Sequence, residues 1–237
     1  MSQTEKPVPT MTLADVGQLI VEVVYGVLAG IFTTVARTLV HRTSLVLLAF
    51  TLVHAAGNLL IFLGHDVYNA YADHLRSNLA VQAIEYYLVL ATLGHSCSGV
   101  YLSVVDGKLL SWHTARLFLT GLVLAAFLCV HMLHFRFSAA AHEDLHKEVL
   151  RVLASQPVAL GYTVSCLLLG AHAYWGWDKA ASKLGRDEAT GKPALTPGAR
   201  AFGHYLVLFL TAAFTVVAIG AHFQGAAVER AQGEGRG

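Results

Sequence analysis

Charged side chains are scarce in this sequence: lysine, arginine, aspartate and glutamate make up only 13% of its 237 residues. Soluble domains carry roughly 25%, so the composition excludes an ordinary soluble globular domain. The net charge of +1 excludes a strongly basic nucleic-acid-binding protein. The sequence also has no glycine-rich phosphate loop and no catalytic-triad motif. We therefore expect partners in or beside a membrane, and no nucleic acid.

Cysteine is equally scarce. The three cysteines, Cys97, Cys129 and Cys166, all lie in apolar runs, and none belongs to a CxxC motif. Their number and spacing exclude a disulfide framework and a cysteine-based zinc site. We interpret these residues as small apolar packing residues.

Apolar residues dominate instead, at 55% of the chain, and give a mean hydropathy of +0.56. A transmembrane helix needs about 20 apolar residues to cross the roughly 30 Å hydrocarbon core of a bilayer. Five runs reach or approach that length: about 43–63, 81–104, 117–137, 157–177 and 202–222. We predict an all-α integral membrane protein with a five-helix transmembrane domain (43–222), preceded by an N-terminal region (1–42) and followed by a polar C-terminal tail (223–237).

Residues 13–36 form a further apolar stretch, and its pattern predicts a separate amphipathic helix. Asp15, Gln18 and Glu22 lie along one helical stripe, while valine, leucine and isoleucine line the opposite side. A charged Glu22 at the bilayer centre would be costly. We therefore expect an interfacial helix that lies flat on the inner membrane surface, rather than a sixth span.

The distribution of lysine and arginine predicts the orientation of the chain. With five spans, ten of these residues fall on the side of the N-terminus and six on the other side. The positive-inside rule then places the N-terminus inside. Seven of the ten lie in or beside the second and fourth loops, and the candidates for pairing with a partner are Lys108, Arg116, Lys179, Lys183 and Arg186.

Four of the 13 histidines lie well inside predicted spans: His54, His95, His131 and His172, in the first four spans respectively. Because consecutive spans run in opposite directions, His54 and His131 fall on the outer side of the midplane, and His95 and His172 on the inner side. At a rise of 1.5 Å per residue, the two layers differ in depth by roughly 9 Å. Ionisable residues inside spans usually serve a functional site.

Two layers of two histidines are typical of a protein that holds two haem b groups, each iron bound by neutral imidazole nitrogens from facing helices. Three alternatives remain open: histidines that only hydrogen-bond across helices, a histidine relay in a transporter or proton channel without haem, and a structural anchor without haem. His134 lies on nearly the same helical face as His131 and is a rival ligand.

Motifs in four of the spans resemble those of a known family, the five-helix dihaem cytochrome b subunit of succinate:quinone oxidoreductases and fumarate reductases. The first span carries HAAGN from His54 to Asn58, and the second carries LGHSCSGVYL around His95. The third carries Thr120 and Gly121 ahead of His131, and the fourth carries HAYWGW from His172. The order and spacing of these motifs carry the resemblance.

The resemblance implies a five-helix bundle in which His54 and His131 bind an outer haem iron, and His95 and His172 an inner one. It implies a flavoprotein subunit and an iron–sulfur subunit as partners on the inner side, with the dicarboxylate site on a partner. Membrane quinone, either menaquinone or ubiquinone, is then the substrate of this subunit. The implied location is the inner (cytoplasmic) membrane, or the inner mitochondrial membrane in a eukaryote. The basic residues of the inner loops would pair with partner acids or haem propionates.

Two features depart from the family pattern. The N-terminal extension to about residue 40 is longer than the family usually shows. Gly170 stands where members that couple quinone chemistry to transmembrane proton movement have a glutamate, which argues against such coupling here.

Overall fold

The computed structural model describes residues 13–105, 111–181 and 195–234, and these residues form helices and no β-strand. A 3₁₀ segment, Leu60–Leu63, follows the first helix, and a π-helical turn, Met132–Arg136, extends the fourth. The α-helices, in chain order, are α1 (Leu13–Leu59), α2 (His65–Ser77), α3 (Leu79–Val105), α4 (Trp112–His131), α5 (Ala139–Glu143), α6 (Leu145–Ala154), α7 (Gln156–Ala181) and α8 (Pro197–Glu234).

Five of the described helices are long and apolar enough to cross a membrane: α1, α3, α4 with its π-helical turn, α7 and α8. Each coincides with one predicted span, so the prediction of an all-helical chain with five long apolar helices is confirmed. Large apolar side chains remain exposed on the outward faces of these helices, for example Leu93, Leu119 and Leu160. Extensive exposed apolar surface of this kind is typical of a protein that meets lipid.

The N-terminal region does not form the separate helix that we predicted. Helix α1 runs without interruption for 47 residues, through residues 13–36 and on through most of the first predicted span. Its length is about 70 Å at 1.5 Å per residue, more than twice the thickness of a bilayer core. A helix that lay flat before a span would need a break between the two parts. No glycine or proline occurs from residue 37 to residue 42 to provide one.

The first half of α1 has little contact with the rest of the described chain. Its side chains are exposed on several sides of the helix, among them Val21, Tyr25 and Phe32. Contact with α3 includes the Thr33 hydroxyl, which lies 3.3 Å from the hydroxyl of Tyr101. The apolar side of the predicted stripe is therefore not buried against the bundle.

Helix α8 also extends beyond its predicted span. It is 38 residues long and continues to Glu234, through most of the predicted C-terminal tail. Its second half packs against α6, where Gly225 lies directly against the backbone carbonyl of Leu150. A side chain at position 225 would collide with that backbone, so glycine permits the close approach.

The short helices α2, α5 and α6 lie at one end of the bundle, which we call the capped end; the other end is the open end. Asp144 organises the cap, because its carboxylate accepts hydrogen bonds from the backbone N–H of Lys147 (3.1 Å) and from the Asn69 amide (2.8 Å) and lies 2.9 Å from Nε2 of His65. Partial burial alone would raise the pKa of Asp144, but the hydrogen bonds from Asn69, Lys147 and His65 outweigh it and hold that pKa well below its usual range.

Four of the long helices form a square. Close backbone contacts join α1 to α3, α3 to α4, α4 to α7 and α7 to α1. Helix α8 packs outside the square, mainly against α7 and α6 and less closely against α1. In this arrangement α1 is diagonally opposite α4, and α3 is diagonally opposite α7.

Candidate functional site

The four histidines that the sequence analysis singled out meet as two pairs across the diagonals of the square. The ring centres of His54 and His131 are 5.9 Å apart, and those of His95 and His172 are 6.3 Å apart. The first pair joins α1 to α4, and we call it the outer pair. The second joins α3 to α7, and we call it the inner pair. The structure thus brings together the same partners that the depth argument had paired.

The two pairs lie at well-separated levels along the bundle. His95 of the inner pair contacts Thr43 on α1, and Thr43 precedes His54 by 11 residues. On α4, Thr120 contacts His172 of the inner pair and likewise precedes His131 by 11 residues. Eleven residues of α-helix rise about 16 Å, with the outer pair nearer the capped end. The sequence estimate of roughly 9 Å was too small because it assumed that every predicted span is centred at the same depth.

Aromatic rings surround the outer pair. Phe50 stacks on His54 with ring centres 5.1 Å apart, and Phe214 lies 5.8 Å from the same ring. On the other helix, the ring centre of Phe127 lies 5.8 Å from that of His131. Nδ1 of His131 is buried and has no hydrogen-bond partner among residues 13–105, 111–181 and 195–234, which is unusual for a polar atom in a folded protein. An orphaned nitrogen in an apolar setting fits a ring that binds a metal-containing group.

Hydroxyl groups from the neighbouring helices contact the inner pair. Thr43 Oγ1 lies 3.2 Å from Nδ1 of His95, and Thr120 Oγ1 lies 3.0 Å from Nδ1 of His172. The backbone of α4 also approaches the second ring closely, since a Cβ atom at Gly121 would lie 3.2 Å from its Cε1 atom. Both rings form part of the wall of a mostly apolar cleft between α1, α7 and α8.

No protein-family model, curated protein or solved structure matches the chain. The function is therefore inferred from the side chains of the site and their geometry.

A constant offset in the sequence relates the two halves of the site. The two members of each histidine pair are separated by 77 residues, and so are Thr43 and Thr120. Our sequence reasoning missed Thr43 and did not assign a role to Thr120, because a threonine in an apolar run gives no signal on its own. A search for residues that recur at the same offset as the histidines would have found both.

His134, the rival ligand in the third span, forms a hydrogen bond with a residue outside the histidine pairs. Nδ1 of His134 lies 2.8 Å from the hydroxyl of Tyr162, whereas the ring that faces His54 is that of His131. His222, at the end of the fifth predicted span, donates from Nδ1 to the backbone carbonyl of Leu153 at 2.8 Å.

The predicted basic surface is only partly described. Lys108, Lys183 and Arg186 lie outside the described residues. Arg116 lies at the open end of α4, with its guanidinium 4.6 Å from the ring centre of Trp175. Its Nε atom is buried and has no hydrogen-bond partner within the part of the chain that the structure describes, which makes it a candidate donor to an anionic group.

The donor set fits haem better than a metal ion held by the protein alone. Within the described ranges, no group of three or more histidine, cysteine, aspartate or glutamate side chains is arranged to hold a metal ion. A porphyrin supplies four nitrogens itself, so haem iron needs only axial ligands from the protein. Two imidazole nitrogens bonded to one metal at about 2 Å each, with each ring centre a little over 1 Å behind its nitrogen, place the ring centres about 6 Å apart. The observed 5.9 and 6.3 Å agree with that distance.

Proposed function

We propose that this chain is the dihaem cytochrome b membrane-anchor subunit of a succinate:quinone oxidoreductase or fumarate reductase. In this role it passes electrons between an iron–sulfur subunit and membrane quinone, which is menaquinone or ubiquinone. The dicarboxylate site lies on a partner flavoprotein, because this sequence contains no flavin or nucleotide motif. The observation that carries the proposal is the meeting of four histidines from four helices as two pairs with ring centres 5.9 and 6.3 Å apart.

Each pair has its own role in this proposal. His54 and His131 hold the outer haem b, and His95 and His172 hold the inner one. Bound haem supplies one-electron chemistry between ferric and ferrous iron. The protein supplies neutral imidazole ligands, the apolar and aromatic walls that keep water away, and the hydrogen bonds that orient the rings.

The spacing of the two pairs supports an electron path through the membrane. A separation of about 16 Å along the helices is roughly half of a 30 Å hydrocarbon core. The inner pair is the one nearer the open end, where we propose that the iron–sulfur and flavoprotein subunits dock. In this proposal the buried Nε–H of Arg116, one turn before Thr120 on α4, donates a hydrogen bond to a propionate of the inner haem. The chain then lies in the inner membrane with its N-terminus on the side of these partners.

Haem content tests the proposal directly. Pyridine haemochrome analysis of the purified protein with its co-purifying subunits should give two haem b per copy of this chain. His54→Ala and His131→Ala should each remove mainly the outer haem, and His95→Ala and His172→Ala mainly the inner one. Copurification of a flavoprotein and an iron–sulfur protein tests the assignment of partners.

Two other histidines provide matched controls. His134→Ala and His222→Ala should retain both haems, because these rings bond to Tyr162 and to the Leu153 carbonyl. If His131→Ala kept both haems while His134→Ala lost one, the ligand assignment in α4 would be wrong. A wild-type protein without haem would contradict the proposal and favour a histidine relay in a transporter or proton channel.

A further inference from the structure

The inner pair has a feature that the outer pair lacks: each of its histidines faces a threonine on the adjacent helix. Thr43 on α1 faces Nδ1 of His95 on α3, and Thr120 on α4 faces Nδ1 of His172 on α7, at 3.2 and 3.0 Å. In both cases the threonine precedes its histidine by 52 residues. The same contact is therefore built twice, once in each half of the square.

The direction of these hydrogen bonds follows from the other partner of each hydroxyl. Thr43 Oγ1 lies 2.6 Å from the carbonyl oxygen of Leu39, and Thr120 Oγ1 lies 2.6 Å from that of Arg116. A carbonyl oxygen can only accept, and a hydroxyl has a single proton. Each threonine therefore donates that proton to its own helix, and its oxygen must accept a hydrogen bond from the histidine Nδ1–H.

We propose that Thr43 and Thr120 are positioning residues that hold His95 and His172 in the Nδ1–H tautomer and so present the Nε2 lone pair of each ring to haem iron. The inference rests on the proposed function, because it takes the inner pair to be haem ligands. In a neutral imidazole a proton on one nitrogen leaves the other as the free acceptor. The hydroxyls thus determine both which nitrogen binds and how each ring is turned.

The effect should be confined to the inner haem. The outer pair is surrounded by phenylalanine rings, and Nδ1 of His131 has no partner among the described residues. A hydrogen bond accepted from Nδ1–H makes an imidazole a stronger electron donor, which favours ferric over ferrous iron. Loss of one threonine hydroxyl should therefore raise the midpoint potential of the inner haem and leave the outer one unchanged.

The experiment is a redox titration of haem absorbance in the purified complex, on Thr43→Val, Thr120→Val, Thr43→Ser and Thr120→Ser. Outer-shell hydrogen bonds typically change metal affinity about 10–100-fold, and a tenfold change in the ferric-to-ferrous preference is about 59 mV for one electron. We expect each valine variant to raise one midpoint by about that amount. The midpoint potential that changes should be that of the haem lost in His95→Ala. Each serine variant retains a hydroxyl and should restore the wild-type value.

Thr163→Val is the matched control, because the Thr163 hydroxyl donates to the carbonyl oxygen of Ala159 on its own helix, at 2.9 Å. Both midpoints of this variant should equal those of the wild type. If Thr43→Val and Thr120→Val behave like Thr163→Val while the wild type contains two haems, the positioning role is wrong and the proposed function stands. If the serine variants shift as far as the valine variants, the effect is one of packing and the positioning role is again wrong. A wild type without haem would overturn the proposed function itself.

Discussion

If the inner pair binds haem as we propose, a single methyl group placed at Gly121 should disturb that haem without unfolding the protein. A Cβ atom built at this position lies 3.2 Å from Cε1 and 3.7 Å from Nδ1 of His172. Carbon atoms in contact are normally about 3.5–4.0 Å apart, so in Gly121→Ala the ring must move by roughly 0.3–0.8 Å. Metal–ligand distances are held to within about 0.2 Å. The smallest displacement that relieves the contact therefore exceeds the tolerance of a metal–ligand bond.

The expected effect of this substitution on stability has the opposite sign. Alanine is favoured over glycine in a helix interior by roughly 1 kcal/mol, which offsets the cost of moving one ring. Gly161→Ala on α7 is the matched control, because a Cβ atom there would have no atom of another described element within 4 Å. It should retain both haems and a thermal midpoint equal to or above that of the wild type.

Haem content and the low-spin haem spectrum of the purified protein distinguish these outcomes. Gly121→Ala should lose part of its inner haem or shift the spectral component assigned to it, while the outer component stays unchanged. Two haems with an unshifted spectrum in Gly121→Ala would refute the close approach of Gly121 to a haem ligand. Selective loss of the outer haem would show that the two pairs had been assigned to the wrong layers.

Two further predictions concern the cap and the N-terminal helix. Asp144→Asn keeps a hydrogen-bond acceptor for the start of α6 but removes the charge, whereas Asp144→Ala removes both. The Asp144→Ala protein should therefore be less stable than the Asp144→Asn protein by about 1 kcal/mol. The pKa of Asp144 is held below its usual range, so the stability that its charge contributes is present above about pH 4 and is lost as the pH falls further. The thermal midpoint of the wild type should therefore fall at acid pH. The midpoint of Asp144→Asn should fall less. Cysteines introduced as Asp15→Cys and Glu22→Cys, in a background without native cysteines, should react with a membrane-impermeant thiol reagent only from the inner side. Labelling of position 15 from the outside, with position 22 protected, would mean that the first half of α1 spans the membrane.

The sequence was sufficient to predict the long helices and the partners of the histidine pairs. The apolar runs predicted five long helices because a length of about 20 apolar residues is set by the bilayer and hardly depends on tertiary contacts. The alternating direction of the spans was enough to match His54 with His131 and His95 with His172. Both inferences use properties that each span has on its own or that follow from chain order.

The features that the sequence did not predict depend on contacts between helices. Polar periodicity indicated where residues 13–36 could meet water, but it did not indicate that α1 continues unbroken into the first span. The separation of about 16 Å between the layers depends on how the spans are staggered, which no single span determines. The roles of Thr43 and Thr120 arise only when α1 packs against α3 and α4 against α7.

The offset of 77 residues gives the square a pseudo-two-fold axis that runs along the bundle. Under this rotation α1 is exchanged with α4 and α3 with α7, so each histidine faces its own counterpart, as residues do across the interface of a symmetric homodimer. An iron held between such counterparts, as we propose, would meet the same kind of ligand from both sides. Helix α8 has no counterpart in this relation. It places Phe214 beside His54, whereas His131 meets Phe127 from its own helix. The two faces of the outer site therefore differ through a helix that contributes none of the four histidines.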